Sequence, residues 1–209
     1  MKRHALAQSE VPLFLNGASE LRVVVKPQPV AFGDSDFGTF EWRWTVRDTT
    51  YHPWDDQSCS DLLMTFCPYP VGSELALTET WMLDGCDDSL DMVRRSLISR
   101  RVIYKAESPE YGKFYKWRSP ATMPAEFSRF PRRVTAMRVE RLQDVTYDGI
   151  VASGWSDPFC WRPPLTDVEE RAKLKVAYDW FEGTWNAAHP DYPWESNPWT
   201  WVLTLEEVK

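Results

Sequence analysis

Glycine, histidine and cysteine are all scarce in this chain, and no long apolar run occurs. The three histidines are His4, His52 and His189, and the four cysteines, Cys59, Cys67, Cys86 and Cys160, show no short repeated spacing. Zinc sites draw on closely spaced ligand pairs, so no metal is expected and the thiols read as reduced, as in a reducing compartment. No segment approaches the roughly 18 consecutive apolar residues of a membrane-spanning helix, and Met1 to Glu10 lacks the apolar core of a secretion signal. A cytoplasmic protein without a membrane partner is the expectation. Also missing are the Gly-x-x-x-x-Gly-Lys phosphate loop, the Gly-x-Gly-x-x-Gly turn, the Gly-x-Ser-x-Gly elbow and the His-x-Glu with Pro-Cys-x-x-Cys of zinc deaminases. The commonest nucleotide-binding and hydrolase signatures are thereby excluded, and no cofactor is expected.

What is present is an unusual weight of large rings. Twelve of the 209 residues are Trp, aromatics make up 14% and apolar residues 43%. Disordered chains are poor in such rings, so a folded domain with a sizeable core follows, with 16 Pro stiffening its connections. The net charge of −7 argues against a general nucleic-acid binder, yet it conceals a segregation. Residues 1 to 93 carry a net −9, residues 94 to 141 a net +9, and residues 142 to 209 a net −7. A basic middle between acidic flanks suits either a localised anion-binding face or an internal charge complement.

Hydrophobic periodicity predicts the elements. Val11 to Asn16 reads as a short helix closed by Gly17, and Arg22 to Lys26 as a strand stopped by Pro27. From Phe40 to Val46, Phe40, Trp42, Trp44 and Val46 alternate with Glu41, Arg43 and Thr45, the pattern of a half-buried strand. Residues 47 to 70 read as a loop-rich insertion. Glu74 to Met82, Arg101 to Ala106 and Arg133 to Leu142 are further strand candidates, the last two separated by a segment broken at Pro109, Pro120, Pro124 and Pro131. Thr146 to Gly154 suits a short helix. Thr166 and Glu169 form a capping box ahead of the longest helical pattern, whose stripe of Val168, Ala172, Val176, Trp180 and Thr184, with Ala177, Phe181 and Trp185 beside it, reads as core. Alternating Trp199, Trp201, Leu203 and Leu205 give a last strand, and its rings, with Trp194, read as core or latch. Many strands, few helices and no strand-helix repetition predict an α+β fold or small barrel in a single domain spanning 1–209.

Several phrases occur in a telling order: Arg22-Val-Val-Val-Lys-Pro-Gln-Pro29, Cys67-Pro-Tyr69, Glu79-Thr-Trp81, Met123-Pro124 with Ser128-Arg129, Val139-Glu-Arg-Leu-Gln-Asp144, and Trp194-x-x-Asn-Pro-Trp-x-Trp-Val202. Together, from about residue 10 to 206, they make the chain resemble the phage and prophage ASCH-like proteins of the PUA-like superfamily. The resemblance implies a mixed small β-barrel with flanking helices and long irregular insertions, whose relatives bind RNA or inspect modified bases in a cleft beside the barrel. Small ASCH hydrolases that deacetylate modified cytidine use a Lys, a Thr and a Glu. This chain has Gly17-Ala-Ser-Glu-Leu-Arg22 where the lysine phrase is expected. Ser19 is left as the hydroxyl candidate and Glu79 as the carboxylate, with no lysine nearby to activate the hydroxyl.

Nucleic acid, as RNA or as single-stranded or modified DNA, is therefore the expected partner. Its candidate contacts are Arg22, Lys116, Trp117, Arg118, Arg129, Arg132 and Arg133. Tyr115 and Trp117 alternate with Lys113, Lys116 and Arg118, a mixture that could stack on a base while neutralising phosphate; a loop packed by its own rings accounts for it equally well. Arg129, after the Pro-rich segment, is the leading ligand contact. For Arg22 the plain alternative is an ion pair with Glu20, and for Glu79 an ion pair with an Arg. Two other functions fit less well: an amidohydrolase on a modified nucleoside using Glu79 and Ser19, and a phage-encoded protein that docks on a host protein through exposed rings.

Overall fold

The computed structural model describes residues 1–34, 39–83, 102–113, 116–158 and 165–208. Its backbone is a five-stranded mixed sheet in the order β1-β6-β9-β10-β2. These strands are β1 (Lys2–Ala5), β2 (Glu20–Val24), β6 (Glu74–Thr78), β9 (Phe130–Arg141) and β10 (Trp199–Glu207). The β1–β6 pair is parallel and every other pair antiparallel. A three-stranded sheet joins β3 (Val30–Asp34), β4 (Thr39–Val46) and β5 (Thr49–Tyr51), and a two-stranded ribbon joins β7 (Trp81–Leu83) to β8 (Val102–Tyr104). Four helices accompany them among the described residues: α1 (Val11–Leu15), α2 (Asp56–Thr65), α3 (Tyr147–Ala152) and α4 (Asp167–Ala188). The fold is thus α+β. Closure into a barrel, the sequence expectation, is not found among the described residues, because β1 and β2 lie at opposite edges and do not pair.

Each face of the large sheet buries a separate core. On one face Leu21, Trp201, Leu203, Val134, Leu75 and Leu77 pack with Phe14 of α1, Cys59 and Leu63 of α2, and Trp44. On the other, Val24 meets Leu142, Val145, Ile150, Trp155 and the buried side of α4, namely Ala177, Phe181 and Trp185. The rings of β10, Trp199 and Trp201, both face the first core. The Trp201 indole donates to the carbonyl of Leu63 at 2.8 Å, and Trp199 packs edge-on to Trp42 at 5.6 Å. Satisfying the polar end of a ring while burying its body is what makes tryptophan a good core residue.

Three local expectations are corrected. Residues 47 to 70 are not a loop-rich insertion throughout, because α2 fills the middle of that segment. Asp55 accepts from the backbone N–H of Ser58, and the Ser58 hydroxyl receives the N–H of Asp55 in return, a capping box built on Asp rather than Thr. In α4 the Thr166–Glu169 capping box forms, but the buried line is Ala177, Phe181 and Trp185, while Val168 is 75% exposed. Core packing begins at Ala177; in the first two turns Lys173 reaches Asp157 at 3.5 Å and the ring of Tyr147 at 5.2 Å, while Val168 and Ala172 stay exposed. Glu74 to Met82 divides into β6 and β7, and Ala76 and Thr78 are as buried as Leu75 and Leu77, since β6 is covered on both faces. Along β4, Trp44 is buried and Trp42 and Val46 half-buried, whereas Arg43 and Thr45 are exposed, as the alternation predicts. The side chains of Phe40 and Glu41, and all of Arg101, Tyr115, Cys86 and Cys160, lie outside what the structure describes.

Candidate functional site

Four of the five arginines expected to bind a ligand, Arg22, Arg129, Arg132 and Arg133, contact the chain's own carboxylates. On β2, β10 and β9 the register sets Arg22 and Arg138 on either side of Val202. Arg22 bonds Glu140 at 2.9 Å, Ser153 at the end of α3 at 2.7 Å and Glu20 at 3.4 Å, while Arg138 bonds Glu20 at 2.7 Å and Glu140 at 2.8 Å. Two arginines and two glutamates thus form a closed four-member network beneath α3 and α4, and Phe181 lies 5.2 Å from the Arg22 guanidinium. Burial lowers the proton affinity of Arg22, opposed by the charges of Glu140 and Glu20.

Glu79 and Arg129 form a second, separate pair. Arg129 grips the 2% exposed Glu79 side chain with two hydrogen bonds of 2.5 and 2.9 Å, also bonds Glu107, and lies 4.4 Å over the ring of Tyr104. Burial alone would lower the proton affinity of Arg129, but the contacts with Glu79 and Glu107 outweigh it and leave the group above its ordinary value. Arg132 reaches Glu207 at 3.2 Å, and Arg133 reaches Glu74 at 3.3 Å and Glu206 at 3.6 Å. Arg129, Arg132 and Arg133 thus each contact the chain's own carboxylates, and for the last two the cause is strand pairing, which sets Glu206 and Glu207 of β10 and Glu74 of β6 beside Arg132 and Arg133 of β9. The indole of Trp117 rests on Gly112, where an added Cβ would lie 2.5 Å from its nitrogen, so the loop is packed by its own ring. Lys116 beside it is exposed, and Arg118 lies 5.4 Å over the ring of Trp81. Ser19 is exposed and holds its backbone to Ala152 and Leu205, whereas Glu79 is locked to Arg129; the two are not brought together as a nucleophile and its carboxylate.

A different hollow gathers the chemistry. A cavity of about 730 Å³ opens between β1, the start of α1, β2, the β4–β5 hairpin, the connection after α2 and the end of α4. Ligand pockets typically span about 300–1,000 Å³ and combine an apolar lining with a few placed polar groups. Its rings are Trp44, Phe66, Tyr69 and Trp201, and its polar groups His4, Glu10, Arg22, Lys26, Arg47 and His189. Of these, only Arg22 is among the sequence-predicted contacts. Its Nε–H has no hydrogen-bond partner among the described residues, so the inner wall retains an unused buried donor. Neither Glu79 nor Arg129 lines this space.

Within the cavity the polar groups are held in place. The His4 ring nitrogen Nδ1 stands 3.1 Å from the Tyr69 hydroxyl, whose oxygen lies 3.5 Å from the carbonyl of Arg3. The contact ties the Nδ1 edge of the His4 ring to Tyr69 and leaves Nε2 as the nitrogen outside that bond. Burial pushes the His4 imidazole below its ordinary value; Glu10 opposes this and His189 adds to it. Glu10 accepts from the backbone N–H of Ala7 at 2.7 Å with one oxygen and faces Nε2 of His189 at 3.6 Å with the other. Arg47 and Asp48 form the two-residue turn between β4 and β5 with φ of 48° and 63°. Such turns favour Asn-Gly, because a side chain at positive φ is strained. The strain is borne by a turn that carries Arg47 to the rim. Lys26 stands opposite, 5.1 Å from the ring of Tyr192. Sequence reasoning missed His4, Glu10, Lys26, Arg47, Tyr69 and His189 because they come from six separate segments with no shared spacing.

Among the described residues, burial raises the proton affinity of both thiols, Cys67 and Cys59, and pushes Cys59, on the core face of α2, up to about 12. No helix among the described residues is long and apolar enough to cross a membrane. No family model, no curated protein and no solved structure matches the chain.

Proposed function

We propose that this chain is a PUA-like, ASCH-related protein that binds single-stranded nucleic acid, preferably RNA, by receiving an unstacked base in the cavity between β1, β2 and the end of α4. The carrying observation is the combination in one hollow of the half-buried rings of Phe66 and Tyr69, backed by Trp44 and Trp201 of the core, the edge groups His4, Glu10 and His189, and the rim cations Lys26 and Arg47. An unstacked base needs a ring surface to lie against and donors and acceptors on its edge, and its flanking phosphates need cations at the mouth. A second groove of about 600 Å³, lined by Lys2, Arg3, Pro68, Tyr69 and Ala121, shares Ala5, Pro68 and Tyr69 with the cavity and offers a path for the adjoining nucleotides. The PUA-like assignment draws its support from the ordered phrases of the sequence and from a cleft beside a mixed sheet. The acidic remainder of the surface opposes indiscriminate association with polyanions.

Fluorescence anisotropy with labelled single-stranded RNA, single-stranded DNA and duplex, titrated with salt, tests the proposal. Single strands bind, duplex binds weakly, and the affinity falls as salt rises. Lys26→Ala and Arg47→Ala each weaken binding and lower the salt slope by about one. Arg133→Ala leaves affinity unchanged, because its guanidinium faces Glu74 and Glu206. Absence of measurable affinity at low salt, or a loss on Arg133→Ala matching that of Lys26→Ala, overturns it.

A further inference from the structure

Two histidines of different character face the same cavity. His4 is held by Tyr69 through Nδ1, so Nε2 is the nitrogen left to exchange a proton, and His189 is faced by the carboxylate of Glu10 at 3.6 Å. One is thereby arranged to take up a proton and the other to be held, when protonated, by a neighbouring anion. Lys26 and Arg47 lie on the same lining and can approach an anionic centre. Paired imidazoles beside a cation are the groups required to move a proton off a hydroxyl and onto a leaving oxygen at a phosphodiester, without a metal. Among the described residues no group of acidic, histidine and cysteine side chains could hold a metal ion.

Resting on the RNA-binding reading above, we infer that the cavity cleaves its RNA ligand by intramolecular transesterification, with His4 as general base and His189 as general acid. His4 Nε2 removes the proton of the ribose 2′-hydroxyl. The 2′-oxygen forms a bond to the adjacent phosphorus as the bond from phosphorus to the 5′-oxygen of the next nucleotide breaks. The imidazolium of His189 gives its proton to that departing oxygen. The products are a 2′,3′-cyclic phosphate and a 5′-hydroxyl, and exchange with water returns one proton from His4 and supplies one to His189. Lys26 offsets negative charge gathering on the non-bridging oxygens. Tyr69 and Glu10 are positioning residues: the first fixes the face of His4, the second holds His189.

The test uses the full chain in excess over a 5′-labelled RNA, in EDTA, under single-turnover conditions at saturating protein so that affinity does not enter the rate. RNA is cut to a product whose mass corresponds to a cyclic phosphate. The same sequence as DNA, or with 2′-O-methyl groups, stays intact because the nucleophile is missing. His4→Asn and His189→Asn each slow the step by about 10²-fold or more, the contribution of a positioned acid or base, and Arg133→Ala cuts at the parent rate. Binding of RNA without cleavage overturns this inference and leaves the binding proposal standing, whereas no binding removes both. Cleavage of the 2′-O-methyl strand, a linear phosphate product, or undiminished rates in both folded histidine variants also overturns it. Should either variant fail to fold by circular dichroism, the product mass and the 2′-O-methyl strand still decide.

Discussion

At the scale of single residues, the arrangement turns on buried charge. A carboxylate as enclosed as Glu79 is tolerable only because Arg129 meets both of its oxygens. Arg129→Ala leaves that charge stranded and is expected to cost about 3–5 kcal/mol, read as a fall in the urea midpoint. Replacing both members, Glu79→Gln with Arg129→Met, should recover part of the loss, because the stranded charge is gone. His4 yields a pH dependence whose sign follows from its environment. Its folded proton affinity lies below the ordinary value of 6.5, so the unfolded chain binds the extra proton first. The stability His4 contributes is complete above pH 6.5 and is lost as pH falls through its lower folded value. The groups that face it are Tyr69, Glu10 and His189. Urea midpoints measured from pH 8 to pH 5 should fall more steeply in the parent than in His4→Asn.

At the scale of elements, local sequence signals acted where they were strong and yielded where packing disagreed. Gly17, at φ 90°, follows the residue that closes α1, as its position after the apolar run predicts. Gly154 closes α3 in the same way, at φ 99°, and sits against α1, where an added Cβ would lie 3.1 Å from the Leu13 Cβ and 3.2 Å from its backbone. Gly154→Ala therefore meets both backbone strain and a contact with little room to give. A loss of more than about 1 kcal/mol is expected, seen as a lowered melting temperature. The stripe of Val168, Ala172 and Val176 in α4 has the right period yet remains largely outside the core, because period alone does not say how far along a helix its neighbours extend. In α2, the Asp55–Ser58 box lay hidden among prolines and acidic residues that read as loop.

At the scale of the molecule, four cations of the basic middle are complemented by the chain's own acids. Arg129, Arg132, Arg133 and Arg138 meet Glu79, Glu207, Glu74 and Glu20, which lie far from them in sequence. Binding, on the proposal above, falls instead to cations of the acidic first segment that surround the cavity. The salt-dependent affinity changes of Lys26→Ala and Arg133→Ala separate these two arrangements. The fold class and most element positions were legible, since the helix at 11, the strands at 40, 102, 133 and 199 and the helix beginning at 167 each declare themselves within a dozen residues. Little of the site was legible: Arg22 was named for its position on a strand, and its five polar companions around the cavity were not.

The amino-acid order alone determined the helices near 11, 147 and 167 and the strands near 22, 40, 102, 133 and 199, because alternation, caps and glycine stops act between near neighbours in the chain. Only the tertiary structure decided which charges are spent and which remain, because the partners come from far apart. Glu79 and Arg129 are 50 positions from one another, and Arg22 and Glu140 are 118. Electrostatic energy depends on distance in space, and strand order, not sequence composition, sets that distance.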